Sequence, residues 1–259
     1  MPPARPVSRA SIHLAPLSLD EAVAVLEGAT TGTPCIFIVP DGEFDACQAV
    51  ISRARAASLH NVVLLARTGL SPLGRAVLTD MARSLASRLA AGQLLAVIAE
   101  LELSIRCLAV ARSVTRLRQP TPSLWQHIVS WLPSSRFLIQ LDAGVERLRP
   151  GQLRDSDVLR MPSEAVVIAR GRGVGAEADG AVAELADRLG QPPIVSLDVG
   201  PGDWWGKKEI VDLCIAPADL TPYLQRVTEL AVECRWCQVP CTPGGCQMCQ
   251  PRTRSGADV

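Results

Sequence analysis

The sequence predicts an α/β protein: a layered sheet with helices, arranged in two halves, plus a small C-terminal cysteine-rich metal module. Three observations predict it. Short runs of valine, isoleucine and leucine alternate with segments whose apolar residues recur every three or four positions. A polar, turn-rich stretch, 149–162, separates two such series. Five of the nine cysteines are crowded between Cys234 and Cys249.

The chain has 259 residues, enough for one large domain or two small ones. Its 26 basic and 26 acidic residues cancel, which excludes a generally basic nucleic-acid coat protein and an acidic disordered tail. Nucleic acid is therefore not the expected partner. The start, Met1 to Ala10, has no apolar run of signal-peptide length. The longest apolar stretch, 93–111, is broken by Glu100, Glu102 and Arg106, so no membrane span is expected. A cytoplasmic protein follows, in which paired cysteines serve as metal ligands or thiols rather than disulfides.

The elements are expected in this order. Residues 1–18 form a flexible arm, and 19–149 an N-terminal α/β domain. In it Leu19 to Leu26 is a short helix. Cys35 to Val39 is a buried strand that Pro40-Asp41-Gly42 breaks. Phe44, Cys47, Ile51 and Ala54 share a helical face. Val62 to Leu65 is a strand, and Leu73, Val77, Met81, Leu85 and Leu89 mark a long amphipathic helix. Leu94 to Ile98 and Leu103 to Val110 read as two more strands. A short helix, Leu124 to Leu132, carries Trp125 and Trp131, and Phe137 to Leu141 is a strand.

A C-terminal α/β domain is expected over 150–233. Ala165 to Ala169 is its first strand, followed by a glycine-rich turn. Val182, Leu185, Ala186 and Leu189 line a helix, and Ile194 to Leu197 and Ile210 to Ile215 are strands. The loop 198–208 holds Trp204 and Trp205, with Asp198 and Asp203 beside Lys207 and Lys208. A last amphipathic helix, with Leu220, Tyr223, Leu224, Val227, Leu230 and Ala231, leads into the module over 234–259.

Two places carry ligand chemistry. Arg170-Gly171-Arg172-Gly173-Val174-Gly175 lies between a strand and a helix, where backbone amides and a helix N-terminus can hold a phosphate. Those two arginines and three glycines are the candidate nucleotide- or flavin-binding residues. The spacing completes neither G-x-G-x-x-G nor the P-loop pattern, and Ala176 and Glu177 stand where the lysine and hydroxyl belong. A tight turn with no ligand is the alternative.

The second place is the module. Cys234-x2-Cys237 and Cys246-x2-Cys249 are two knuckles that can complete a tetrahedral, structural zinc site. Cys241-x4-Cys246-x2-Cys249 has instead the spacing of plant-type [2Fe–2S] proteins, making Cys241 the alternative ligand. Free surface thiols are the third reading. Arg235, Trp236, Arg252 and Arg254 surround the cluster as packing and solvated groups.

Catalytic residues are not evident. His13, His60 and His127 have no metal spacing, and neither H-E-x-x-H nor G-x-S-x-G occurs. Asp41, Glu43 and Asp45 read as helix-start carboxylates. Cys35, Cys47, Cys107 and Cys214 read as small core residues.

The stretch Pro162 to Gly175, with Ile194-Val-Ser-Leu-Asp198 and the late cysteines entered by the helix Tyr223 to Val232, resembles a degenerate type II secretion or type IV pilus-assembly ATPase. That resemblance implies a non-hydrolysing scaffold or assembly protein, because the phosphate-loop lysine and hydroxyl are missing. Gly171 to Gly175 followed by Glu184 to Gly190 is similar, as a rival, to the flavin domain of electron-transfer flavoprotein α subunits. Together with the [2Fe–2S] reading of the cysteine spacing, this implies a nucleotide- or flavin-binding electron-transfer protein with an iron–sulfur cluster. Either reading expects a protein partner or a homo-oligomer, and enzymatic activity is not favoured.

Overall fold

The computed structural model describes residues 10–15, 18–30, 33–58, 62–132, 135–148, 165–171, 176–200, 204–207, 210–234 and 238–242, without the side chains of 176–179. The chain divides into two compact units. The first comprises Met1–Gly69, Leu78–Glu102 and Leu220–Val259, and the second Leu70–Val77 and Leu103–Asp219.

The first unit holds a parallel sheet of β1 (Ser11–Leu14), β2 (Cys35–Pro40) and β3 (Val63–Thr68), in that order. Cys35 of the middle strand pairs with Ser11 on one side and Val63 on the other. Residues Cys35 to Val39 are all buried, which is why the strand reads as an unbroken apolar run. β1 lies within the stretch read as an arm; only Ile12 of its four residues is buried, too little pattern to read as a strand. Helix α1 (Leu19–Gly28) opens on a capping box between Ser18 and Glu21. A 3-10 turn, Asp41–Glu43, then leads into α2 (Phe44–Ser58). Ala22 and Leu26 of α1 and Cys47, Ile51 and Ala54 of α2 meet Cys35, Phe37 and Val39 in one core.

Helix α3 (Pro72–Leu85) follows, then α4 (Ala91–Ser104). The second corrects the expected strand at Leu94 to Ile98. Nearly every residue from Ala91 to Leu101 is buried, so the helix lacks the polar face that would betray its period. Leu103, expected to begin a strand, lies exposed in the last turn of this helix, and β4 (Arg106–Ala111) follows it. Helix α7 (Thr221–Glu229) buries Tyr223, Leu224 and Val227, and leads to a hairpin of β10 (Val232–Glu233) and β11 (Pro240–Cys241).

In the second unit six strands run in the order β6-β5-β4-β9-β7-β8. They are β4, β5 (Arg136–Gln140), β6 (Gly144–Leu148), β7 (Val166–Arg170), β8 (Ile194–Ser196) and β9 (Val211–Pro217). All pairings are antiparallel except β7 with β8. Strands from both sides of residue 150 thus share one sheet. Helix α6 (Ala176–Arg188) covers one face through Ala181, Val182, Leu185 and Ala186, which pack on Leu108, Ile168, Leu213 and Ile215. A second cluster joins Ala109, Val114, Leu117, Phe137, Ile139, Trp205 and Ile210 to Val129 of α5 (Leu124–Val129). Among the described residues no helix is long and apolar enough to cross a membrane.

Candidate functional site

Strand β9 carries a carboxylate inside a fully buried run. Val211, Leu213 and Ile215 face α6, so by strand alternation Asp212, Cys214 and Ala216 take the opposite face. Asp212 is 1% exposed. A buried charge without partners is costly, so its surroundings matter.

The first turn of α3 supplies part of them. Ser71 is fully buried and caps the helix: its Oγ accepts the Gly74 amide at 3.2 Å, and its carbonyl accepts the Arg75 amide at 2.8 Å. Pro72 occupies the first helical position, where its missing N–H is no loss. Trp205 supplies the rest. Its ring is fully buried and meets Trp204 edge-on, with centroids 4.6 Å apart. The Arg118 amide donates to the Trp205 carbonyl at 3.0 Å, and Gly206 turns the chain at φ 77°. A Cβ at Gly206 would run into the Arg116 carbonyl, so only glycine serves this turn.

The Asp212 carboxyl is turned toward the Trp205 indole N–H, the Ser71 hydroxyl and the Leu73 amide. Neither of its oxygens, nor Trp205 Nε1, completes a hydrogen bond of good geometry. Burial pushes the carboxyl up to about 7, against the smaller opposing pull of those donors. Asp212 therefore changes protonation near neutrality, beside the positive end of a helix dipole. Three donors converging on such a group can receive an oxygen-bearing head group, or let Asp212 share one proton with an acid.

Two thiols adjoin it. Cys107 and Cys214 stand directly opposite in the β4–β9 register and are hydrogen-bonded through their side chains. That bond and burial hold the Cys214 thiol well above its ordinary range. A Cβ at Gly74 would lie 2.5 Å from Cys107 Sγ, so glycine lets α3 approach the sheet. All four cysteines read as core, Cys35, Cys47, Cys107 and Cys214, are buried.

Sequence reasoning missed this site. Asp212 was legible as a single charge within a buried strand, and Ser71-Pro72 as a cap followed by a first-turn proline. Of the described residues it singled out for ligand chemistry, Gly171 adjoins Asp212 through its backbone and the others lie elsewhere. Arg170 Nε donates to Ser196 Oγ at 2.8 Å. The Gly171 amide donates to the Asp212 carbonyl at 3.1 Å, and a Cβ there would lie 2.7 Å from the Val199 carbonyl. Arg172, Gly173 and Gly175 lie outside the described residues, as do Cys237, Cys246 and Cys249. Cys234 and Cys241 are buried in the β10–β11 hairpin, and Cys241 Sγ donates to the Val232 carbonyl at 3.5 Å.

No protein-family model matches the chain, and a search of curated proteins finds no similar one. Solved structures do match in fold. The DegV family protein Cg2579 from Corynebacterium glutamicum superposes with a TM-score of 0.59 at 13% identity, over 83% of this chain and 99% of that one. A DegV family protein from Eubacterium eligens, loaded with heptadecanoic acid, gives 0.57 at 10% identity, over 77% and 78%. This chain has the DegV fold. A dihydroxyacetone kinase from C. freundii, in complex with AMP-PNP and Mg2+, also shares it, at 0.54 and 15% identity over 99% of this chain and 56% of the kinase.

These likenesses correct several expectations. The chain does not have the fold of a secretion or pilus-assembly ATPase, nor that of an electron-transfer flavoprotein subunit, so both resemblances fall. The short motifs behind them are a strand, a glycine turn and a helix, which many α/β folds share. The scaffold and electron-transfer readings fall with them. The flavin, nucleotide, zinc and [2Fe–2S] expectations are also withdrawn: the DegV neighbour is loaded with a fatty acid. Among the described residues no group of three or more His, Cys, Asp or Glu could hold a metal. Of the cysteines read as ligands, Cys234 and Cys241 are buried at the β10–β11 hairpin, and the other three lie outside the described residues.

Proposed function

We propose that this chain binds a long-chain fatty acid, with the acid head group at Asp212, Ser71 and Trp205. The observation that carries the reading is the buried, incompletely bonded Asp212 carboxyl beside two equally buried donors. Around it the unit is apolar: Val114, Leu117, Phe137 and Ile210 pack with Trp205. A few convergent polar groups among apolar side chains are what an amphipathic ligand needs. The fatty acid held by the Eubacterium eligens protein supports this choice of ligand. Fold alone does not choose, since a kinase shares it.

The chemistry is a shared proton. A neutral Asp212 donates to the ligand carboxylate, while Ser71 and Trp205 supply further donors. Two adjacent carboxyls cannot both ionise cheaply, so binding favours one proton between them. A ligand this apolar is handed over at a surface or by another protein, so a partner belongs to the same reading.

Mass spectrometry of organic extracts from the purified protein tests it, alongside competition between a fatty acid and the alcohol of equal length. The expected result is a co-purified fatty acid and stronger displacement by the acid below neutrality. Protein that releases no lipid and binds neither compound overturns the reading.

A further inference from the structure

The short helix α5 and the turn after it present apolar side chains outward. Leu124 is 79% exposed, Trp125 70%, Ile128 55%, Trp131 83% and Leu132 51%. Their positions fall on one side of the segment, while Val129 points into the core. The segment is not loosely attached. A capping box between Ser123 and Gln126 starts it, Gln126 Nε2 donates to the Val145 carbonyl at 2.6 Å, and Ser135 Oγ donates to the Val129 carbonyl at 2.9 Å. The two indoles alone offer about 350 Å² of ring surface. That by itself matches the largest apolar patch of a typical monomer.

The segment that carries the patch has charges of one sign. From residue 112 to 136 the sequence contains Arg112, Arg116, Arg118 and Arg136 and no Asp or Glu. Arg112, Arg116 and Arg118 are exposed. Val114 and Leu117, between them, share a core cluster with Val129, which places this basic segment next to α5. Lys207 joins it, donating from Nζ to the Ser113 carbonyl at 2.6 Å. Arg136 is offset by Glu184, 3.2 Å away. On the neighbouring hairpin Arg147 stands with Asp142 and Glu146. Among the described residues beside the patch, basic side chains thus outnumber acidic ones, in a chain whose net charge is zero.

We propose that the α5 face is a docking surface for an anionic lipid bilayer: the indoles and aliphatic side chains enter the interface, and the arginines meet the headgroups. Tryptophan is suited to the boundary between headgroup and hydrocarbon, and basic residues near it add attraction to anionic lipid. A second copy is disfavoured, because a two-fold contact through this face would bring two basic rims together. Nucleic acid would use the indoles and arginines but has no use for Leu124, Ile128 and Leu132, which have no ring to stack. The inference does not depend on the fatty-acid reading and is tested without free fatty acid.

The full chain is sedimented with vesicles of phosphatidylcholine alone or mixed with phosphatidylglycerol, and Trp125→Ser/Trp131→Ser is compared with the unaltered protein. The expected result is binding to the anionic vesicles that is at least about tenfold weaker for the variant, and weaker again in high salt. Brominated lipids should quench the fluorescence of the unaltered protein, a readout independent of whether the variant folds. Absence of quenching overturns the proposal, as does vesicle binding that the variant leaves unchanged. A dimer in sedimentation velocity, or oligonucleotide binding, that the same variant abolishes while vesicles are ignored assigns the face to those occupants instead.

Discussion

The carboxyl of Asp212, on a central strand, faces the hydroxyl of Ser71, the residue that caps α3. Each is buried to within 1% of complete. A strand that needs a side chain for packing alone would carry valine here, as Val211 and Leu213 show on either side. The site instead keeps one titratable proton at the end of a helix.

That proton predicts a pH-dependent stability. Burial raises the folded-state pKa of Asp212 from 3.8 to about 7, so the folded protein holds a proton that the unfolded chain has lost. Stability therefore falls as pH rises between those values and levels off above them. Against Asp212→Asn, the unaltered protein should lose up to about 4 kcal/mol across this window, with no further loss above about pH 8. Urea melts of both proteins in parallel buffers check it; a difference that does not vary with pH contradicts it.

Gly74 predicts a packing effect with a specific remedy. Alanine improves helix propensity by about 1 kcal/mol, but its methyl would press on Cys107 Sγ at 2.5 Å. Gly74→Ala should be net destabilising by about 1–3 kcal/mol. In a Cys107→Ala background the methyl fills the space left by the sulfur and most of that loss should disappear. A double-mutant cycle by thermal melting measures the coupling.

The four buried thiols predict a protection pattern. Cys35, Cys47, Cys107 and Cys214 should resist alkylation in the native protein and react once it is unfolded, as read by peptide mapping. Rapid labelling of Cys214 under native conditions would contradict the hydrogen-bonded, buried placement that holds its thiol in the neutral form.

Gly206 predicts a loss that reaches the site through Trp205. Its φ of 77° and the nearby Arg116 carbonyl leave no room for a side chain. Gly206→Ala should destabilise by about 2 kcal/mol or more and release the buried indole, seen as a red shift and stronger quenching by iodide.

Much of the architecture was legible because period and burial agree. Cys35 to Val39 is apolar throughout because it lies between two strands, and Phe44, Cys47, Ile51 and Ala54 recur at helical spacing on one face. The same logic misread Leu94 to Ile98: a helix buried nearly all round has no polar interval to reveal it. The site was less legible. Ser71 is far in sequence from Trp205 and Asp212, and only the sheet and the start of α3 bring it to them. The glycines and cysteines that stand out as motifs drew attention elsewhere, since local spacing is visible in one sequence and convergence is not. The exposure of Trp125 and Trp131 was also hidden, because an outward indole and a core indole look alike in a sequence.

The central claim is that a fatty acid binds at Asp212 by sharing its proton. Equilibrium binding of heptadecanoic acid at about pH 6 and about pH 8.5, to the unaltered protein and to Asp212→Asn, tests it most directly. The unaltered protein should bind at least about tenfold more weakly at the higher pH, and the variant should lose that dependence. No binding at either pH, or the same pH dependence in both proteins, would contradict the account.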